Sequence, residues 1–268
     1  MSAAGIRALV NEARSVEAAL VDDASPESVG PVGVSGMLAE QLAKELGAGG
    51  TPGAVVIGGG ELAERAEVLV RVVAGDPTAE DDELVRAADA NSIPVVLVQL
   101  WPQADWTAPF VLSPFVVECR AGEGFPVPEI AARIVEATEN GSALGSRVPA
   151  IAEAASTRLA KTAVVRSALI ALTGSRLGVS RELLTLEQVR LVSGLMATSA
   201  RSSPVGDDMR IRAGATAAAV ASGFALRGLA RSLRSVVPAP IANVAVAAAG
   251  TWAVAKAFEL AETRLLDR

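Results

Sequence analysis

The side chains that usually carry chemistry are scarce in this chain. It has no histidine and no tyrosine, and Cys119 is its single cysteine. Ser-His-Asp and Cys-His catalysis, histidine metal sites and histidine proton shuttles are therefore excluded. One cysteine makes neither an intramolecular disulfide nor a cysteine-built zinc site, and beside an apolar run it reads as a small buried hydrophobe. Glycines and carboxylates remain. The stretch Pro31-Val32-Gly33-Val34-Ser35-Gly36 runs into Met37–Leu46, a strand, a glycine turn and a helix in the place of a phosphate-binding loop. A working loop of this kind reads G-x-x-x-x-G-K-[ST]: backbone amides cradle the phosphates, the Lys neutralises them and the hydroxyl holds magnesium. Here only Gly33, Ser35 and Gly36 remain, and Lys44 lies two turns along the helix. The same residues also read as an ordinary strand-to-helix turn. A second candidate is Gly58-Gly59-Gly60 at the end of the run Gly53–Ile57, where a ligand or simply a flexible turn would use the missing side chains. With Asp76, Asp105 and Glu123 it would make a carboxylate-lined site able to hold magnesium, though no Lys or Arg clusters with it.

These candidates depend on elements that the pattern makes legible. Val68–Leu100 reads as an apolar run, a turn, a polar helix and a second apolar run. Short Val- and Ile-rich runs bounded by Gly, Asp and Pro suit strands buried on both faces of a parallel sheet. Asp76-Pro77-Thr78 offers a helix start capped by Thr78 or Asp76, with acids in the first turn. Ile93-Pro94 re-enters the sheet where a missing amide costs least. The whole is one right-handed βαβ unit. A further strand is expected over Pro114–Cys119 and a helix over Glu129–Thr138 with Ile130 and Ile134 inward. Upstream, residues 4–22 place Ile6, Leu9, Val10, Ala13, Val16 and Leu20 on one helical face; Glu12 and Glu17 argue against a signal peptide.

The second half is different. Long helices are expected over Arg147–Leu172 and Leu184–Ala200, then Ala-rich segments over Ala213–Leu226 and Val236–Ala255. Residues 1–140 carry 8 basic against 22 acidic side chains, a balance of −14, and residues 141–268 carry 16 against 8, a balance of +8. An acidic half followed by a basic, apolar one indicates two modules, which either neutralise each other or turn the basic half toward an anionic lipid surface. The chain is 51% hydrophobic and 20% charged, with a mean hydropathy of +0.40. Val236–Ala255 has 20 residues without a charge, the length of a span, yet it holds Pro238, Pro240, Asn243 and Thr251 and is mostly Ala. Arg227, Arg231 and Arg234 recur at helical spacing opposite Leu226, Leu229 and Leu233, a basic amphipathic stripe suited to an anionic membrane surface, a solvated face or the acidic half.

The order of elements from Gly33 to Glu139 resembles a small GTPase-type domain. IPVVLVQLWPQAD stands where that family has a strand followed by [NT]KxD, and VVECRAGEGF where it has the next strand and its guanine-side loop. The chemistry is missing: Gln99, Leu100, Trp101 and Asp105 do not make NKxD, and Gly58-Gly59-Gly60-Glu61 lacks the DxxG aspartate. The resemblance implies the fold of a pseudo-GTPase without the activity. The second half is similar to the hydrophobic helical domain of unknown function that follows GTPase-like domains in bacteria and occurs in YcjF-type membrane proteins. The matching residues are Leu186-Glu187-Gln188-Val189-Arg190-Leu191-Val192, the turn Val237-Pro238-Ala239-Pro240 and the closing helix around Ala249–Ala257.

The expected fold is thus α/β, a P-loop-NTPase-like three-layer parallel sheet lacking nucleotide motifs, followed by an all-α hydrophobic helical domain. The expected boundaries are 1–30 for an amphipathic helix and linker, 31–140 for the α/β domain and 141–268 for the Ala-rich basic domain. The expected role is a non-catalytic scaffold or regulator without cofactor or metal. It would meet a protein partner through the acidic domain and sit on the cytoplasmic side of a membrane, peripherally or through a helical hairpin. The alternatives are a nucleotide-binding switch or hydrolase with a site at the strand carboxyl ends, and a soluble cytoplasmic two-domain protein, with self-association one way to bury its helices. Nucleic acid is not expected, because the acidic half repels phosphate and the basic half has few aromatics.

Overall fold

The computed structural model describes residues 28–101, 110–120, 122–177, 180–199 and 239–266. The segment 4–22, Asp105, Trp106, Ala213–Leu226, Arg227, Arg231 and Arg234 lie outside the described residues. The chain divides into two compact units between Ala155 and Ser156.

The first unit is built on a five-stranded, all-parallel sheet in the order β2-β1-β3-β4-β5. Its strands are β1 (Val32–Gly36), β2 (Val55–Ile57), β3 (Val68–Ala74), β4 (Val95–Leu100) and β5 (Val116–Cys119). Side chains alternate between the faces. On one face Val32, Val34, Val68, Val70, Val72, Val96 and Val98 bury against α1 (Ala39–Leu46) and α4 (Val127–Ala137), through Leu42, Leu46, Ile130 and Ile134. The short α5 (Gly141–Arg147) and the first turns of α6 (Pro149–Leu177) complete this core with Leu144, Val148 and Ile151. On the opposite face α2 (Leu62–Arg65) and α3 (Ala79–Ala90) cover Leu69 and Val95 with Leu62, Leu84, Val85 and Ala88. The runs read as nearly continuous Val because both faces are covered. Each buried Val or Leu contributes roughly 1.5–3 kcal/mol, so these runs fix the sheet before any loop chemistry matters.

Turns end the elements for local reasons. Thr78 caps α3 through a capping box: Asp81 N–H donates to Thr78 Oγ1 at 3.3 Å, and Thr78 N–H donates back to Asp81 Oδ2 at 2.7 Å. Asn91 closes the helix, its side-chain amide donating to Ala87 O at 3.0 Å and across to Ala63 O at 2.9 Å on α2. Pro94 accepts the Leu69 amide at 2.9 Å while its missing N–H costs nothing at the start of β4. The expected strand over Pro114–Cys119 begins two residues later, because Ser113–Phe115 forms a 3₁₀ turn with Pro114 near its start.

In the second unit the described helices are the rest of α6, α7 (Ser180–Ser199) and α8 (Ala239–Leu266). Ala163, Leu191, Leu195 and Ala255 form a small core with Leu159 and Phe258 against it, and Val192 meets Val254 beside it. Thr251 Oγ1 lies 2.8 Å from Ser167 Oγ, both fully buried. The Ala-rich stretch thus turns one stripe onto α6 and α7. Among the described residues, no helix is long and apolar enough to cross a membrane.

Candidate functional site

A doubly wound sheet places its ligand crevice where the strand order reverses, outside the strand carboxyl ends. Here the order runs outward in opposite senses from β1 and β3, so the crevice belongs above Gly36 and Ala74. The turn that should line it is closed. Only Met37 and Leu38 separate β1 from α1. Gly36 has φ +96°, and a Cβ there would stand 2.0 Å from Val72 O, so the backbone of β1 lies pressed on β3. The Met37 amide is spent on that same carbonyl at 3.2 Å. Leu38 then turns in the left-handed region (φ 57°) and starts α1 without a side-chain cap. A phosphate-binding loop of the G-x-x-x-x-G-K-[ST] kind wraps several amides and a Lys around the phosphates; this turn is two residues long, its first amide is engaged and no Lys directly follows it.

Gly33 and Ser35 lie inside β1. A Cβ on Gly33 would meet Ala66 Cβ and Leu62 Cδ1 at 3.1 Å, so this glycine lets α2 approach the sheet. Ser35 is 1% exposed and its hydroxyl has no hydrogen-bond partner. Its register partner on β3 is Arg71, on the same face. Arg71 is the polar centre that sequence pattern missed. Its Nε donates to Asp81 Oδ1 at 2.7 Å, with both side chains under a tenth exposed, and its Nη2 lies 3.6 Å from Glu80 Oε1. Burial alone would raise the Asp81 pKa; the backbone and hydroxyl hydrogen bonds from Thr78, then the Arg71 guanidinium, outweigh it and hold the carboxyl below its ordinary value. The available signal was one charge inside the seven-residue run VLVRVVA, which demands a buried partner.

The glycine triplet follows β2, with Gly58 N–H donating to Val34 O at 3.2 Å. Glu61 folds over it and accepts from Gly59 N–H at 3.2 Å; its own backbone amide and that of Gly59 hold its pKa down. Asp76 stands exposed after Gly75 at the end of β3, and Glu123 is exposed beyond β5. Among the described residues, no three His, Cys, Asp or Glu side chains gather into a group that could hold a metal. Cys119 is buried at the end of β5; burial first, then Glu129 and Glu123, push its thiol pKa up. It is shielded and less nucleophilic than a free thiol.

The carboxyl edge is instead apolar. Met37 and Leu38 after β1 are 54% and 46% exposed, and Trp101 after β4 is 46% exposed. Comparison with family models, with curated proteins and with solved structures gives no match to this chain.

Proposed function

We propose that the protein is a non-catalytic scaffold or regulator. In this reading the α/β unit is a P-loop-NTPase-like sheet that has become a pseudo-GTPase and serves a protein partner. The basic stretch from residue 156 onward, rather than from 141 because Leu144, Val148 and Ile151 pack into the α/β core, is the separate helical domain, and it holds the protein against an anionic surface on the cytoplasmic side of a membrane. The observation that carries the reading is the two-residue turn after β1, with the Met37 amide bound to Val72 O where nucleotide phosphates would need free amides. The sequence resemblance to GTPase-type and YcjF-type chains supports the same order of parts.

A peripheral mode is favoured over insertion. Most of the charge-free stretch Val236–Ala255 falls in α8, where Ala247, Thr251, Val254 and Ala255 are buried. That stripe is engaged within its own unit and is not offered to lipid. The test is flotation of the full chain on vesicles with and without anionic lipid, alongside a phosphate-release assay with GTP and ATP. Binding that needs anionic lipid and is released by salt, with no turnover, is the expected outcome. Turnover above a blank would overturn the non-catalytic reading. Failure to float would overturn the membrane part and leave a soluble two-domain protein.

A further inference from the structure

We propose that the carboxyl edge of the sheet is a docking surface for a cationic amphipathic segment of a partner protein, seated on Met37, Leu38 and Trp101 and paired with Asp76. The proposal deepens the scaffold reading by naming where the pseudo-GTPase unit meets its partner, and it rests on that reading.

Three observations converge on this edge. First, the topology brings the apolar residues to one edge. Gly36 pairs with Val72 and Val72 with Val98, so β1 ends two residues below the end of β4 at Leu100, with β3 between them. Met37 and Leu38 leave the carboxyl end of β1 and Trp101 leaves that of β4, on the two strands that flank β3. Second, two of the three occupy a conformation that L side chains rarely adopt: Leu38 has φ 57° and Trp101 φ 52°. A left-handed backbone at a large residue is costly where glycine would serve. The backbone strain therefore buys no burial for these half-exposed side chains. Third, the surround is acidic. Asp76 follows the end of β3, the strand between β1 and β4, and Glu40, Glu80 and Glu123 are exposed on the segments that leave the same edge, against Arg120. Residues 24–155 carry 19 acidic and 7 basic side chains, a balance of −12. An apolar centre with an acidic rim is complementary to a segment with an apolar stripe and flanking Lys or Arg, the helix-in-groove mode of recognition. An anionic membrane would be repelled by the same rim.

The test uses the full chain and two synthetic peptides of about 18 residues, five helical turns. Both share one Leu stripe; one carries Lys elsewhere and the other Glu. Fluorescence anisotropy of the labelled peptide reads binding. The double variant L38G/W101G removes the apolar side chains at positions whose φ suits glycine, so the fold is retained. Leu112→Ser removes an exposed Leu outside the three-residue surface, and circular dichroism checks folding of each variant. Expected is saturable binding of the Lys peptide, weakened about tenfold or more in the double variant and unchanged in Leu112→Ser. Asp76→Asn should weaken it several-fold and reduce its salt dependence. Equal binding of both peptides, or no loss in the folded double variant, would overturn the proposal. Zwitterionic vesicles competing for the same residues would also overturn it, in favour of a lipid surface. Calorimetry with magnesium and GTP on the same preparations keeps the two readings apart. A nucleotide isotherm defeats the pseudo-GTPase assignment whether or not peptide binds, whereas absent peptide binding without nucleotide heat defeats only the docking surface.

Discussion

Replacing Asp81 with Ala is expected to destabilise the α/β unit far more than a surface substitution. The carboxylate receives Arg71 Nε at 2.7 Å and both the backbone N–H and hydroxyl of Thr78 at 2.7 Å. Removing the side chain deletes half of the capping box, worth about 1 kcal/mol. It also leaves the Arg71 guanidinium under a tenth exposed, with only Glu80 Oε1 at 3.6 Å, and that side chain is 82% exposed. Stranding a buried charge costs about 3–5 kcal/mol, whereas replacing both members of a pair by apolar groups is often nearly neutral. Arg71→Leu should cost less than Asp81→Ala, because Asp81 keeps its Thr78 bonds. The double variant should recover about 2 kcal/mol or more relative to Asp81→Ala, since only the cap is then lost. The assay is urea unfolding in a Trp252→Phe background. Trp252 is exposed on α8, and its removal leaves Trp101, at the end of β4, as the described tryptophan that reports the α/β unit. If Asp81→Ala costs less than about 1 kcal/mol, or the double variant is no more stable than that single one, the pair is not the buried, closed contact described.

Further outcomes follow from neighbouring groups. Because the folded Asp81 pKa is depressed, its contribution to stability is complete above about pH 4 and is lost as pH falls through the lower folded value. Acid unfolding monitored by fluorescence should therefore be shallower in Asp81→Asn. Gly36→Ala should destabilise by at least about 3 kcal/mol, because it adds a Cβ 2.0 Å from Val72 O at a φ of +96°. Gly53→Ala, at φ +79° with nothing within 4 Å, should cost only about 1 kcal/mol in the same urea assay. Ser35→Ala removes a buried hydroxyl with no partner and should stabilise by about 1 kcal/mol, seen as a higher urea midpoint with an unchanged slope.

The sheet was legible because Val-rich runs of six and seven residues, bounded by Gly, Asp and Pro, have few other uses. Thr78 was legible as a cap because its chemistry is local. The Arg71–Asp81 pair was not, since ten residues and a change of element separate the partners and periodicity carries no pairing information. Sequence pattern extends the helix back to Met37, whereas α1 begins at Ala39. The Met37 amide is drawn to Val72 O by the strand register, and Leu38 must then reverse the chain. That displacement of two residues exposes the apolar edge, which no composition signal announces. In the second half the expected Arg147–Leu172 helix runs instead from Pro149 to Leu177, and the stretch expected to close at Ala255 continues to Leu266. Alanine fits every face of a helix, so an Ala-rich pattern marks neither its ends nor the stripe that packs. Gly33 shows what motif position alone leaves open. Its glycine serves the approach of α2 to the sheet, which a strand-to-helix glycine pattern cannot distinguish from a phosphate loop.

Isothermal calorimetry of the full chain with GTP and with ATP, each with magnesium, decides whether the α/β unit is a nucleotide-free pseudo-GTPase. A closed turn between β1 and α1 predicts no saturable heat up to millimolar nucleotide, and Gly36→Ala, if folded, leaves that blank unchanged. A saturable isotherm with a micromolar dissociation constant would contradict the pseudo-GTPase assignment, because a nucleotide would then bind either at this turn despite its engaged Met37 amide or at another site on the strand carboxyl ends.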